Sequence, residues 1–511
     1  IDYTKHLNRV LETDAGGRTC LVEPGIVLDE LNRQLRATGL WFPVDVSTSS
    51  RATIGGMTGN NSCGARSIRY GKMVDNVLSI DALLWDGAAA SFGPMRRENV
   101  PTPSREAGGG PGERADTLAF DMLRLANAHR DEIRRMYPKV QRRVGGYNLD
   151  ALIEPEPNLA HLLVGSEGTL AVSTAITLKL SRLPRHRVMG VCHFPSFRAA
   201  METTRFLVEL GPVAVELADH NVLELGADIA MFRRILADIT KGSPDCLLLV
   251  EFAGEDLDAL KRDLKRLDQC MADHGFADAV VEVVEPARQR SIWDMRESCM
   301  NIMMSMKGDG KPISFIEDCA VPLEHLADYT DALSEVFARH GTRGTWYAHA
   351  SVGTLHVRPI LDMRRDGAPK MRAIAEEAAA LVRKYRGAYS GEHGDGLCRG
   401  EWIRWQFGAK IDDAFRAIKQ RLDPGNQFNP GKIIDPPKMD EARLMRFPPG
   451  YKTIPLTPVL DWSAWNVQND PVTEQTTAPG TGGDVTGGLA KAVEMCNNNG
   501  HCRKFDAGTM C

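Results

Sequence analysis

Two copies of a strand–helix–strand pattern lie near the middle of the chain, and they restrict the fold more than any other feature. Each copy consists of an apolar run, a longer stretch with helical spacing of its apolar residues, and a second apolar run. The predicted elements are the strand Val188–Phe194, the helix Ser196–Leu210, the strand Val213–Leu217, the strand Cys246–Ala253, the helix Glu255–Gly275 and the strand Ala279–Val284. This series predicts an α+β fold with a ferredoxin-like antiparallel sheet and helices on one face.

The remaining sequence suggests how the chain is divided into domains. Residues 1–183 combine short predicted strands with a loop rich in Gly, Ser, Thr and Asn, and within them 96–114 reads as an exposed insertion. Residues 184–435 contain the repeated pattern and form a candidate substrate domain. Pro, Gly and Thr dominate residues 436–488, which predicts a linker or an arm on the surface. A short helical stretch follows, and residues 489–511 end the chain in a group of cysteines.

Bulk composition excludes several classes of function. The 511 residues carry 62 basic and 67 acidic side chains, a net charge of −5, without a basic stripe that would suit nucleic acid. No apolar run approaches the roughly 20 residues of a membrane span. Ile1–Val10 lacks the features of a signal peptide, and eight of the eleven cysteines are scattered without paired spacing. We expect a fragment of a longer cytoplasmic protein, with peripheral contact at the inner membrane left open.

Four short motifs carry the strongest local signal. Thr53–Gly64 contains four glycines together with Asn and Ser side chains, so its backbone can approach a large ligand and offer donors to it. The segment lacks the spacing of a Walker loop or of a dinucleotide fingerprint, and alone it is equally consistent with an ordinary turn. The other three motifs are Val22–Gly25, Gly165–Leu170 and Asn429–Ile433.

A second group of residues has the chemistry of a metal site. His349 and His356 are seven residues apart, but a turn at Gly353 would form a hairpin that brings both imidazoles together. Two histidines with the carboxylate of Glu392 would form a three-ligand site with open positions. From the residues alone, ordinary core or surface histidines are the more common explanation.

Taken together and in this order, the four motifs resemble the vanillyl-alcohol-oxidase superfamily of FAD enzymes. Within it the chain is similar to the branch of D-lactate dehydrogenases, glycolate oxidase flavin subunits and D-2-hydroxyglutarate dehydrogenases. The resemblance extends from about Cys20 to Ile434. It implies a two-part FAD-binding domain of the PCMH type and a cap domain, with Thr53–Gly64 along the pyrophosphate and flavin ring. The family's first phosphate loop would precede Ile1.

The resemblance also implies the residues of the cofactor site and the reaction. The implied FAD contacts are Pro43, Thr53, Ile54, Gly55, Gly56, Asn60, Asn61, Ser62, Gly64, Glu167, Gly168, Leu170, Ile176, Asn429 and Lys432. The implied ligands of a divalent ion, Zn or Mn, are His349, His356 and Glu392. The implied catalytic residues are His393, as the base that takes the proton of the 2-hydroxyl, and Arg296, Lys311 and Arg358, which hold substrate carboxylates.

The sequence departs from the family pattern around this site. Ser351–Thr354 replaces the usual Gly-Asp-Gly-Asn between the two histidines, and Arg358 stands where an Asn is expected. Met300 stands where the family has a Thr four residues after Arg296. These departures bear on the identity of the metal. Between the two candidate substrates, D-2-hydroxyglutarate and D-lactate, the extra cations slightly favour the dicarboxylate, D-2-hydroxyglutarate.

The last signal is a cluster of three cysteines, Cys496, Cys502 and Cys511, within sixteen residues. Its spacing differs from the ferredoxin run, so an iron–sulfur cluster, a zinc site and a disulfide are equally open from spacing alone. The stretch resembles the junction of fused dehydrogenases in which the chain continues into a [4Fe-4S] domain. That resemblance implies a quinone, a cytochrome or a ferredoxin-like protein as electron acceptor. A non-catalytic electron-relay subunit is the alternative, and an NADPH-dependent reductase of cell-wall synthesis is a third reading.

Overall fold

The computed structural model describes residues 2–95, 111–298, 310–448, 451, 454–466, 484, 486–494 and 496. The chain divides into two compact units. Unit 1 contains residues 1–183 and 388–439, and unit 2 contains residues 184–387 together with the described residues from Asp440 to Cys496.

The described strands number fourteen, and every pair formed between them is antiparallel. They are β1 Val10–Asp14, β2 Thr19–Val22, β3 Leu40–Trp41, β4 Val77–Leu83, β5 Ala89–Phe92, β6 Val172–Lys179, β7 Ser181–Arg182, β8 His186–Phe194, β9 Ala214–Ala218, β10 Cys246–Gly254, β11 Val280–Val283, β12 Lys311–Pro312, β13 Gly344–His349 and β14 Thr354–Leu361.

The described α-helices surround these strands. They are α1 Leu28–Leu35, α2 Ile54–Asn60, α3 Ser67–Tyr70, α4 Met73–Asn76, α5 Pro111–Ala128, α6 Arg130–Met136, α7 Ala160–Leu163, α8 Phe197–Glu209, α9 His220–Asp228, α10 Ala230–Ile239, α11 Leu257–Asp273, α12 Pro286–Glu297, α13 Leu326–Arg339, α14 Gly367–Lys384, α15 Ile403–Phe407, α16 Ala409–Leu422 and α17 Leu489–Val493. None of the helices in the described ranges is both long enough and apolar enough to cross a membrane.

Unit 1 is built on a five-stranded sheet in the order β1-β2-β6-β4-β5, and a small ribbon of β3 and β7 accompanies it. Its core includes residues from late in the chain, because the apolar face of α16 buries Ile411, Phe415 and Ile418 in the same cluster as Ile80 and Ile176. Residues 388–439 therefore belong to unit 1, whereas the sequence analysis assigned all of 184–435 to one substrate domain. The spacing of apolar residues in a helix shows which face is buried but not which sheet it packs on.

Unit 2 contains a seven-stranded sheet in the order β11-β8-β10-β9-β13-β14-β12. The first four strands of this order belong to the two predicted strand–helix–strand copies, and they have the ferredoxin-like arrangement that the sequence predicts. The hairpin of β13 and β14 joins the edge at β9, and the short strand β12 pairs with β14.

Helices cover both faces of this sheet. On one face, the Leu267 side chain of α11 packs directly over Gly190 of β8. On the other face, Met189 and Val191 of β8 share an apolar cluster with residues of α10 and α12, among them Phe232 and Ile292. The expectation of helices on one face only is therefore wrong for unit 2. The repeated pattern contains only the helices of one face, whereas α10 lies between the two copies and α12 follows the second.

The described part of residues 440–496 packs as an arm in unit 2. Glu494 forms an ion pair with Arg364 and accepts a hydrogen bond of 2.5 Å from the Tyr451 hydroxyl. The Phe447 ring lies 4.4 Å from the Arg364 guanidinium, so both ends of the described arm meet at one arginine.

Candidate functional site

In unit 1 the two glycine loops are joined by main-chain hydrogen bonds. The Gly165 amide donates to the Thr58 carbonyl over 2.9 Å, and the Glu167 amide donates to the Gly59 carbonyl over 2.8 Å. Gly165 and Glu167 both have positive φ, at 82° and 51°, so a left-handed turn brings the second loop against the first. The two loops therefore form one continuous surface.

Glu167 connects this surface to two later parts of the chain, the segment just after His393 and the motif Asn429–Ile433. Its carboxylate accepts hydrogen bonds from the main-chain amides of Asp395 and Gly396, at 2.5 and 3.1 Å, just after Glu392 and His393 in the chain. Its carbonyl accepts a hydrogen bond of 2.7 Å from the Asn429 side chain. Burial raises the pKa of the Glu167 carboxyl, although the main-chain donors act in the opposite direction.

Among the described residues, one buried polar atom of the first glycine loop finds no hydrogen-bond partner. Thr53 caps α2 by accepting from the Gly56 amide, and Asn61 ends the helix with a φ of 56°. The Asn61 Oδ1 atom accepts from the Val74 amide, whereas its Nδ2 atom, buried within the loop, has no hydrogen-bond partner among the described residues. A ligand oxygen at this point would satisfy that donor.

The predicted cofactor residues differ in what their side chains contact. The side chains of Ile54, Leu170 and Ile176 lie in the hydrophobic core, so these residues could reach a ligand only through their main chain. Pro43 and Ser62 are buried as well, while Asn60 and Lys432 are half-buried.

The glycines also separate into two kinds. A Cβ on Gly64 would lie 1.9 Å from the Asp45 carbonyl oxygen, and one on Gly55 would lie 2.6 Å from the Pro24 side chain. A Cβ on Gly168 would meet open space, and one on Gly56 would meet only the Thr53 hydroxyl, at 3.1 Å. Gly55 and Gly64 are therefore needed for packing of the loop, and Gly56 and Gly168 keep space open beside it.

A residue that the sequence analysis did not identify holds Glu392 in place. Arg142 is fully buried and forms an ion pair with the Glu392 carboxylate. It also donates hydrogen bonds to the Ser67 hydroxyl and to the Cys63 sulfur, each at 2.7 Å. The Nδ2 atom of the Asn60 side chain donates a further hydrogen bond of 2.8 Å to the Glu392 carbonyl. The segment that carries Glu392 is thus fixed to the first glycine loop.

His393, the predicted base, follows this fixed carboxylate. Its side chain is 35% exposed, and its Nε2 atom lies 3.1 Å from the second carboxylate oxygen of Glu392. A partly exposed imidazole beside a fixed segment can exchange a proton with a bound molecule.

In unit 2 the two predicted metal-ligand histidines lie together. Tyr347 pairs with His356, and His349 pairs with Thr354, across the hairpin of β13 and β14. The two imidazole rings are 4.9 Å apart between centroids and nearly perpendicular. The turn at Gly353 has a φ of 67°, as the hairpin expected from the sequence requires.

Both imidazoles are oriented through their Nδ1 atoms. His349 Nδ1 lies 2.8 and 2.9 Å from the two carboxylate oxygens of Glu216, and His356 Nδ1 lies 2.9 Å from the Glu317 carbonyl. With these bonds in place, Nε2 is the atom through which either ring would hold a metal ion. Glu216 was not identified from the sequence, although a glutamate inside the buried strand Ala214–Ala218 is itself an unusual signal.

The predicted cations lie in the same unit. Arg296 pairs with Glu216 at 2.6 Å, and the Arg358 Nε atom donates to the Ser314 hydroxyl over 2.8 Å. Both guanidinium groups stack on the Tyr347 ring, at 4.8 and 5.0 Å from its centroid. Lys311 is half-buried in β12, opposite Leu361 on β14, the strand that carries His356 and Arg358.

Other predicted positions can be placed only in part. Cys496 is exposed, whereas Cys502, Cys511 and Met300 lie outside the described residues.

Comparison with known proteins places the chain among flavoproteins. Residues 183–433 match the family described as "FAD linked oxidases, C-terminal domain", and residues 1–93 match the family described as "FAD binding domain". The D-2-hydroxyglutarate dehydrogenase of Escherichia coli (strain K12) is 33% identical over 456 residues, which cover 87% of this chain and 44% of that protein. The chain therefore spans less than half the length of this relative.

More distant similarity supports the same fold. The "Probable D-lactate dehydrogenase, mitochondrial" of Danio rerio is 27% identical, over 81% of this chain and 71% of that protein. The crystal structure of p-cresol methylhydroxylase with substrate bound superposes with a TM-score of 0.56 at 14% identity, covering 84% of this chain and 78% of that one. The α+β fold with a PCMH-type FAD-binding domain is thus confirmed. The chain belongs to the FAD-linked oxidases of the vanillyl-alcohol-oxidase superfamily.

Proposed function

We propose that this chain catalyses the FAD-dependent oxidation of a D-2-hydroxyacid, D-2-hydroxyglutarate or D-lactate, to the 2-oxoacid. One observation carries the proposal: the segment of Glu392 and His393 is fixed to the first glycine loop of unit 1 through Arg142 and Asn60, and to the second loop through Glu167. The same segment therefore joins a candidate flavin surface to a candidate base. The 33% identity to a protein named D-2-hydroxyglutarate dehydrogenase supports the choice of substrate class.

The residues of unit 1 fit FAD. The space beside Gly56 and Gly168 suits a large ligand, and so does the buried Nδ2 atom of Asn61, for which the described part of the chain offers no hydrogen-bond acceptor. Thr53–Gly64, Glu167 and Lys432 would hold it. When bound, FAD supplies the acceptor for the hydride that leaves C2 of the substrate.

The residues of unit 2 fit a divalent metal, Zn or Mn. His349 and His356 are adjacent and oriented through Nδ1, and the buried Thr354 hydroxyl opposite His349 has no hydrogen-bond partner among the described residues. We assign the third ligand to Glu392. When bound, such an ion lowers the pKa of a coordinated hydroxyl.

We assign proton transfer and substrate binding to four side chains of this chain. His393 accepts the proton of the 2-hydroxyl, because its imidazole is partly exposed and lies beside the fixed carboxylate of Glu392. Arg358 and Lys311 bind substrate carboxylates, and Arg296 does so in an orientation set by Glu216. The substrate thus loses one hydride and one proton and becomes the 2-oxoacid.

We also propose how electrons leave the flavin. Cys496 contributes, with Cys502 and Cys511, to a [4Fe-4S] cluster that passes electrons to a quinone, a cytochrome or a ferredoxin-like protein. The exposure of Cys496 beyond α17 is compatible with this role. We place the protein in the cytoplasm and leave peripheral contact with the inner membrane open.

The test is anaerobic flavin bleaching by four acids: D-lactate, L-lactate, D-2-hydroxyglutarate and L-2-hydroxyglutarate. We expect one D acid to bleach the flavin, and a chelator to abolish this bleaching. If a stably bound flavin is bleached by none of the four, the hydroxyacid function is wrong and the relay subunit becomes the better account.

A further inference from the structure

A carboxylate is buried in the middle of the sheet of unit 2. Glu216 lies on β9, between β10 and β13, and is 0% exposed. All five residues of this strand are buried, and the other four are Ala, Val, Leu and Ala, so an apolar residue would be the ordinary choice at this position. An ionised carboxylate is costly in such a place unless its oxygens are paired and hydrogen-bonded. A specific role is therefore needed to explain it.

We propose that Glu216 is a positioning residue that orients one metal-ligand imidazole and one substrate-binding guanidinium together. This inference rests on the proposed function and extends it to a residue beyond the predicted ligand set.

The first contact is with His349. The two residues are direct partners in the register of β9 and β13, and both carboxylate oxygens lie within 2.9 Å of His349 Nδ1. The Nδ1–H group donates to the carboxylate, so the ring is held in one orientation with Nε2 directed away from Glu216. A carboxylate behind a metal-ligating histidine fixes the ring and makes it a stronger ligand.

The second contact is with Arg296. This residue lies in the last turn of α12, and its Nη2 atom is 2.6 Å from a Glu216 oxygen. The same guanidinium stacks over the Tyr347 ring at 4.8 Å, so its plane is fixed from two sides. The Glu216 carboxylate thus sets the orientation of one side chain on β13 and of a second side chain on α12.

The consequence is a coupling between two binding events. Loss of the Glu216 carboxylate should weaken metal binding through His349 and substrate binding through Arg296, although Glu216 itself binds neither the metal nor the substrate. If Glu216 only supported the fold, its substitution would change the two affinities no more than substitution of any other buried polar residue of the same sheet.

The experiment compares Glu216→Gln with Glu251→Gln in the FAD-loaded protein, with metal binding measured in the absence of substrate. Glu251 is a suitable control because it is 1% exposed on the neighbouring strand β10 and binds the Trp293 indole nitrogen at 2.7 Å. Calorimetry gives the affinity for Zn²⁺ and for Mn²⁺, and steady-state kinetics gives KM and kcat separately. We expect Glu216→Gln to weaken metal binding by roughly 10- to 100-fold and to raise KM, and Glu251→Gln to leave both close to wild type.

Glu216→Asp provides a second variant in case Glu216→Gln does not fold. It keeps the charge with a shorter side chain, and we expect a smaller loss of metal affinity than in Glu216→Gln. Wild-type metal affinity in both Glu216 variants would overturn the inference. A wild-type protein that binds no metal but is still bleached by a D acid would overturn the inference and the metal assignment while leaving the hydroxyacid function intact.

Discussion

Arg142 and Glu392 form a buried ion pair that joins the first glycine loop to the predicted metal ligand. Removing one member of such a pair leaves the other charge buried without compensation. We expect Arg142→Met to lower the free energy of unfolding by ~3–5 kcal/mol in urea denaturation.

The adjacent arginine is the matched control for this pair. Arg143 pairs with Asp150, and both side chains are partly exposed, at 12% and 34%. Arg143→Met should cost about 1 kcal/mol or less. Equal losses of unfolding free energy in the two variants would show that the ion pair of Arg142 stabilises the fold no more than the ion pair of Arg143.

Glu167 should make stability depend on pH in a particular direction. Burial raises the pKa of this carboxyl in the folded protein, so the folded state binds the proton more tightly than the unfolded chain. This contribution to stability is present below the unfolded pKa of about 4.3 and is lost as pH rises through the folded pKa.

Glu167→Gln removes this ionisation and keeps an oxygen for the amides of Asp395 and Gly396. We therefore expect the wild type to lose stability relative to the variant as pH rises from 4 towards neutral. Urea titrations of both flavin-free proteins at several pH values measure this difference. Parallel pH profiles would contradict the burial argument.

Two glycine substitutions separate packing from ligand binding. A Cβ on Gly64 overlaps the Asp45 carbonyl, so Gly64→Ala should destabilise the protein by roughly 3 kcal/mol. Gly56 lies in α2 and meets only the Thr53 hydroxyl, so Gly56→Ala should keep or raise stability by up to about 1 kcal/mol.

The flavin affinity of the same two variants tests the ligand surface. We expect Gly56→Ala to weaken FAD binding in fluorescence titration even though the protein remains stable. Unchanged FAD affinity in Gly56→Ala would place the flavin elsewhere than along this loop.

The proposed base is tested by His393→Ala. We expect FAD to remain bound while the rate of flavin reduction by the preferred D acid falls by roughly 10²- to 10⁴-fold, because proton removal is lost. His220→Ala is the control, since His220 is an exposed histidine that pairs with Glu224 on α9. Stopped-flow absorbance of both variants gives the rates, and a retained rate in His393→Ala would exclude this role.

Local patterns in the sequence predict much of unit 2. The strand expected at Cys246–Ala253 extends over Cys246–Gly254, and the helix expected at Glu255–Gly275 covers Leu257–Asp273. Apolar spacing and turn residues are properties of neighbouring positions, so they predict such elements well. The hairpin that carries His349 and His356 was predicted for the same reason.

Contacts between distant positions could not be predicted in this way. Arg142 and Glu392 are 250 residues apart in the chain, and Glu216 and His349 are 133 apart. Nothing in the local pattern around Arg142 distinguishes it from Arg143. Glu216 did carry a signal, because a charged residue within a buried strand needs a partner. The assignment of residues 388–439 to unit 1 depends on the same kind of distant contact.

The most direct test of the central claim is anaerobic mixing of the flavin-loaded protein with D-2-hydroxyglutarate or D-lactate and, separately, with the L isomer. Absorbance of the oxidised flavin is followed in a single turnover, without any added electron acceptor. We expect a D acid to bleach the flavin and to form the 2-oxoacid in equal amount, while its L isomer leaves the flavin oxidised. Bound flavin that stays oxidised with both isomers of both acids would contradict it.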